Sequence, residues 1–222
     1  MLLQAFASGN ASTILISLLA CVFLVFVAVP VHEFAHVWAA SKLGDDTGRM
    51  LGRYTLNPLA HLDPIGAILI CLIGFGWGKP APVNPNRFEN PKKGMALTAL
   101  AGPATNIIMT FLFLFIGEAV FSVGPLAGTN IGAYIYIFCT ICGRISIFLA
   151  VLNLIPVPPL DGYNILCGIL PDNATAWIEQ NQRIISFAFI LFLITGVLTT
   201  PLSALANLVL NGISFICGLP FA

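Results

Sequence analysis

The run from Thr13 to Val31 carries no charged residue, and it leads without a break into His32-Glu33-Phe34-Ala35-His36. Such a run is long enough to cross a bilayer, whose hydrocarbon core is about 30 Å thick. In lipid every backbone N–H and C=O needs an internal partner, so the segment is expected to be helical. On a helix, positions i and i+4 share a face, and both imidazoles can reach one Zn²⁺. Glu33, between them, is then placed to act on a water bound to that metal. Ionisable groups at membrane depth are costly and usually mark a functional site. The chain thus puts chemistry that consumes water into a segment that belongs in lipid.

The rest of the composition agrees. Of 222 residues, 58% are hydrophobic and 8% charged, against about 25% charged in soluble domains. The reading is an integral, multi-pass membrane protein, with residues 1–222 forming one membrane-embedded domain and the lipid bilayer as its constant partner. No basic block suggests nucleic acid. Oligomeric state is not legible. Cys21, Cys71, Cys139, Cys142, Cys167 and Cys217 lie mostly in apolar runs, where thiols pack as small hydrophobes. Cys139 and Cys142 form a CxxC without the second pair that a zinc ribbon needs. The N-terminus has no basic stretch, so the first apolar run reads as a retained helix rather than a signal peptide.

Along the chain, the first helix is expected from about Ser12 to Leu43, with tilt or a kink at Pro30 absorbing its excess length. Gly44 to Asp63 is polar and turn-rich. Pro64 to Gly78 is apolar but too short to span, and reads as a re-entrant segment or hairpin. Lys79 to Lys93 holds Pro80, Pro82, Pro85 and Pro91, which exclude helix and allow an edge strand or extended chain. Further helices are expected at about Gly94–Val120, Ile131–Leu154 and Ile184–Thr200, with a weaker one at Leu202–Cys217. The fold class is all-α and polytopic, with about four to five transmembrane helices and a re-entrant or β-hairpin segment between the first and second.

Lys42, Arg49 and Arg53, then Lys79, Arg87, Lys92 and Lys93, hold most of the basic charge. The positive-inside rule places these stretches, and the active site near them, towards the cytoplasm. Both face that side only if Pro64–Gly78 enters the membrane and returns.

A catalytic zinc usually takes three protein ligands and keeps one position open. The third ligand is sought among His61 and the carboxylates Asp45, Asp46, Asp63, Glu89, Glu118, Asp161, Asp172 and Glu179. Asp161 is the best placed. It follows Ile155-Pro156-Val157-Pro158-Pro159, whose prolines replace helix by rigid extended chain and so aim the carboxylate. The alternative for Asp161 is a helix cap.

HExxH, the segment Asn153-Leu154-Ile155-Pro156-Val157-Pro158-Pro159-Leu160-Asp161-Gly162, and Gly102-Pro103 with Asn106 together resemble the site-2 proteases, which are intramembrane zinc endopeptidases. No inserted PDZ or CBS domain is visible. The resemblance implies one Zn²⁺ per chain, held by His32, His36 and Asp161. It implies Glu33 as the general base and a transmembrane protein as the substrate, cut in or near its membrane segment. Asn153 would hold or polarise the substrate carbonyl or support the metal ligands, or else be a helix cap or make an interhelical hydrogen bond. His61 would donate to a developing oxyanion, or be a plain loop histidine. Trp77-Gly78-Lys79-Pro80-Ala81-Pro82-Val83-Asn84 resembles the family's membrane-edge strand. A bacterial or archaeal cell membrane is the expected location, with a eukaryotic organelle as the alternative.

Two other readings have distinct marks. A non-enzymatic relative, such as a pseudoprotease, chaperone or transporter, predicts a damaged catalytic set, and none of His32, Glu33, His36 or Asp161 is replaced. A metallopeptidase with a glutamate third ligand would use Glu118 or Glu179, and neither sits in a supporting motif. Arg144, midway along the third helix, is expected to pair with Glu118, snorkel, or face a water path.

Overall fold

The computed structural model describes residues 2–73, 76–123 and 125–221. Among these, helices are joined by extended or turn segments, and no β-ladder forms. Four helices are long and apolar enough to cross a membrane: Ala11–Lys42, Pro91–Ser122, Asn130–Asn153 and Thr199–Gly218. They are called the first to fourth spans below. Residues 1–89 and 90–222 form two compact units.

In the first unit, Asn10 caps the first span by accepting the N–H groups of Ser12 and Thr13 at 2.9 and 3.3 Å. Leu15, Leu18, Leu19, Val22 and Phe26 stand exposed along it, which water would penalise and acyl chains do not. The sequence asked how Pro30 is accommodated. The answer is a single π-helical turn, Leu24–Ala28, in which the Val29 N–H bonds the Leu24 carbonyl. Pro30 has no N–H to give, and widening the preceding turn relieves its ring while the helix continues to Lys42. Gly44, at φ +104, ends it.

Beyond that turn, Asp45 is buried and organises its surroundings. It accepts the Thr47 N–H at 3.0 Å, the Thr47 hydroxyl at 2.5 Å and the Asn84 N–H at 2.7 Å, and Arg87 Nε lies 4.0 Å away. A short helix, Pro64–Ile73, follows. Ten residues rise roughly 15 Å, about half the hydrocarbon core. The apolar segment therefore does not span as one helix. The return expected by Gly78 passes through Gly74 and Phe75, which lie outside the described residues. The β-hairpin alternative is corrected: residues 76–84 form no strand and no ladder. Pro80 and Pro82 have no N–H, and the N–H groups of Lys79, Ala81 and Asn84 go to a loop carbonyl or a side chain. Cys21 and Cys71 are joined as a disulfide, with Cα atoms 5.4 Å apart, where packing thiols were expected.

The second unit packs its spans on one apolar core. Leu114 of the second span, Ile147, Ala150 and Val151 of the third, and Leu202, Ala206, Leu210 and Cys217 of the fourth form it. Small residues bring the second and third spans close. A Cβ on Gly143 would lie 3.2 Å from Leu114 Cδ2, and one on Gly117 would lie 3.0 Å from Cys139 Cβ. The Thr110 hydroxyl crosses this contact to the Gly143 carbonyl at 3.1 Å.

The expected span Ile184–Thr200 is also corrected. The helix begins at Asp172 and ends at Ile194, so its first half carries Asp172, Glu179 and Arg183. Gly196, at φ +76, breaks the chain before Thr199 opens the fourth span. The segment expected to be the weaker helix is the one that meets the length and apolarity of a span.

Candidate functional site

His32 and His36 lie one turn apart on the first span, and both are buried, at 5% and 6% exposure. Their Nε2 atoms approach to 3.0 Å and the rings stand at 86° to one another. Two imidazole nitrogens bound tetrahedrally to one zinc at about 2.05 Å would sit about 3.3 Å apart. The pair therefore fits that ion within a few tenths of an ångström. Ala28, Val29, Pro30, Ala35, Val37, Ala39 and Ala40 around them are buried too.

Glu33 lies between the two histidines in sequence and turns towards the extended segment. Its Oε2 accepts the Ala81 N–H at 2.8 Å. That N–H stands between two prolines, Pro80 and Pro82, so it is isolated from any ladder. Gly78 passes close enough that a Cβ there would lie 2.8 Å from Val29 Cγ1 and 3.2 Å from the His61 carbonyl. A side chain at that position would push the segment off the helix.

His61 is completely buried at the end of the Pro58–His61 turn. Its Nε2–H donates to the Thr55 carbonyl at 2.7 Å, and its Nδ1 faces Arg53 Nη2 at 3.5 Å. The His61 carbonyl takes the Lys79 N–H at 2.7 Å. Burial lowers the imidazole pKa, the Thr55 carbonyl pulls it back up, and Arg53 lowers it again, with a net fall. The Thr55 carbonyl requires a proton on Nε2, and the guanidinium opposite leaves Nδ1 to act as an acceptor.

Arg53 was missed by sequence reasoning. It is 6% exposed, and its Nη2 donates to the Lys79 carbonyl. Burial lowers its pKa and the charge of Glu33 raises it, the first effect being the larger. The local signal was weak, since a single arginine after a glycine turn resembles any solvated loop cation.

In the second unit, Asn153 ends the third span and its Nδ2 donates to the Leu149 carbonyl one turn back at 3.0 Å. This is a local helix-end bond. Asp161 is the first residue of the Asp161–Cys167 helix, and its Oδ2 is buried. Gly162 shows why the motif needs glycine: a Cβ there would collide with the Leu154 and Ile155 carbonyl oxygens. The helix start is thus pressed against the proline-rich turn, in which Pro158–Pro159 is cis. The Ser186 hydroxyl holds that turn from outside through the Pro158 carbonyl at 2.9 Å. Gly102, Pro103 and Asn106 are buried within the second span. Arg144 is exposed on the third, and Glu118 accepts the Tyr136 hydroxyl at 3.3 Å.

Comparison with known proteins agrees with this chemistry. The family model of peptidase family M50 matches residues 20–196. YwhC of Bacillus subtilis (strain 168), named as a candidate zinc metalloprotease, is 40% identical over 185 residues, covering 82% of this chain and 81% of its own. Rip2 of Mycolicibacterium smegmatis, named in the same way, is 29% identical over 140 residues, covering 61% of this chain and 51% of its own. Rip2 of Mycobacterium tuberculosis is 28% identical over 172 residues, covering 75% and 64%. No solved structure matches.

Proposed function

Because this chain belongs to peptidase family M50, the site-2 type of membrane zinc metalloprotease, we propose that it hydrolyses a peptide bond in or near the transmembrane segment of a membrane protein. The observation that carries this reading is the convergence of His32 Nε2 and His36 Nε2 to 3.0 Å on a buried face of a membrane-length helix, with Glu33 beside them. The cofactor is zinc.

The proposed ligands are His32, His36 and Asp161. Two imidazoles and a carboxylate are a donor set that zinc takes in catalytic sites with one position left open. The rigid turn and the pinned Gly162 support a fixed aim for Asp161. When bound, zinc supplies Lewis acidity to the attacking water and the scissile carbonyl. Glu33 removes a proton from that water and delivers it to the leaving amine. The Ala81 N–H holds Oε2, which orients the carboxylate and leaves Oε1 to take the proton.

Asn153 is proposed to steady the substrate carbonyl by donating from its amide nitrogen, after giving up its local bond to Leu149. His61, with its N–H committed to Thr55, is better suited to position the site than to donate to an oxyanion. The basic loops support a site facing the cytoplasm, with Pro64–Gly78 entering and leaving from that side.

The test is cleavage of co-expressed, tagged single-span reporters in membranes. Fragments ending inside the apolar segment, made by the parent and absent with Glu33→Gln, support the proposal. Identical fragments from both proteins exclude it.

A further inference from the structure

A buried guanidinium needs its charge answered and its donors used. Arg53 meets these needs in part, through groups that adjoin Glu33, while its Nε is buried without a hydrogen-bond partner among the described residues. Its Nη2 reaches the Lys79 carbonyl and faces His61 Nδ1. His61 returns its carbonyl to the Lys79 N–H at 2.7 Å and fixes its ring on Thr55. Lys79 is therefore gripped at both its N–H and its C=O, by two residues of one loop. Two positions further on, the Ala81 N–H meets Glu33. At the far end, the Asn84 N–H is taken by Asp45.

We propose that Arg53 and His61 form a latch on Lys79 that sets the register of residues 78–84, so that Arg53 is a positioning residue for the Ala81–Glu33 contact. This deepens the protease reading and rests on it for its meaning in catalysis. The geometry has a reason. An extended segment with prolines at 80, 82 and 85 has few N–H groups and no ladder to fix it. A one-residue slip would present Pro80 or Pro82, with no donor, to Glu33. Pinning one residue at both polar groups removes that freedom. Arginine suits the task because its planar fork presents several donors in a fixed arrangement.

The experiment is hydrogen exchange by mass spectrometry on the full-length, zinc-loaded protein in detergent, with zinc content measured alongside. Peptides across 78–84 report few amides, because prolines contribute none. In Arg53→Ala, the Lys79 and Ala81 amides are expected to exchange at least about tenfold faster while residues 29–42 keep their protection and zinc stays bound. Added methylguanidinium, which restores the missing fork, is expected to bring protection back to within about twofold of the parent. A general packing defect would not respond to it. Should Arg53→Ala fail to fold, Arg53→Gln keeps most of the volume and is read in the same way. Unchanged exchange at 79 and 81, or faster exchange that methylguanidinium leaves as it is, overturns the latch. Loss of zinc from the parent would instead count against the protease reading, and the exchange data would still decide the latch.

Discussion

The carboxylate of Glu33 accepts the backbone N–H of Ala81 at 2.8 Å, across 48 residues of sequence. The residue that the sequence marks as the base is thus oriented by a donor that lies outside the HExxH motif. The contact also makes the chemistry separable from the fold, because a glutamine at position 33 retains an oxygen for Ala81 but loses the basic site.

Glu33→Gln is therefore expected to bind zinc as the parent does and to unfold at the same temperature within a few degrees. Cleavage of a reporter that the parent cuts should fall by about 10²–10⁴-fold, the usual contribution of a positioned general base. Metal analysis, thermal unfolding and fragment yield on the same preparations check this. A glutamine variant that cuts at near-parental rate would remove Glu33 from the mechanism.

Gly162→Ala should be among the more damaging single-methyl additions in the second unit. The new Cβ would meet two backbone carbonyls, those of Leu154 and Ile155, which cannot turn aside as a side chain can. Overpacking of this kind costs about 1–3 kcal/mol. The measurement is the unfolding midpoint in detergent. Gly212→Ala, where nothing lies within 4 Å of the added atom, is the control expected to show little change.

Asp45 sets an acid limit on stability. Burial raises its pKa, but hydrogen bonds from the Thr47 hydroxyl and the Asn84 and Thr47 N–H groups, with the Arg87 charge, outweigh that and leave it below the ordinary 3.8. A depressed pKa means the unfolded chain takes the proton first. Its contribution is complete above the ordinary value and is lost as pH falls through the folded one. Asp45→Asn should lower stability at neutral pH by about 1–3 kcal/mol and flatten the decline between about pH 5 and pH 2. Unfolding midpoints across that range, parent against variant, check both parts. Parallel curves would show that Asp45 is not the titrating group.

The long helices were legible because lipid leaves only a few ways to satisfy a backbone, and apolar run length reads them directly. The histidine pair was legible because i, i+4 spacing survives on any helix. Boundaries fared worse where polar residues continue a helix. The segment from Asp172 is helical through its charged half, and no local pattern distinguishes that from a loop followed by a span. The π turn before Pro30 was half legible: the proline announces a defect but not its form. Arg53 and the Ala81 donor were illegible because their partners lie 26 and 48 residues away. Hydrogen bonds at such separations leave no periodicity to read.

The central claim is that a zinc ion is held by His32, His36 and Asp161, and its most direct test is zinc content per chain in the detergent-purified protein. The account predicts about one zinc in the parent, little in His36→Ala, and a marked loss in Asp161→Ala with the fold retained. A well-folded parent that takes up no zinc after reconstitution, or an Asp161→Ala protein that holds it as firmly as the parent, would contradict the account.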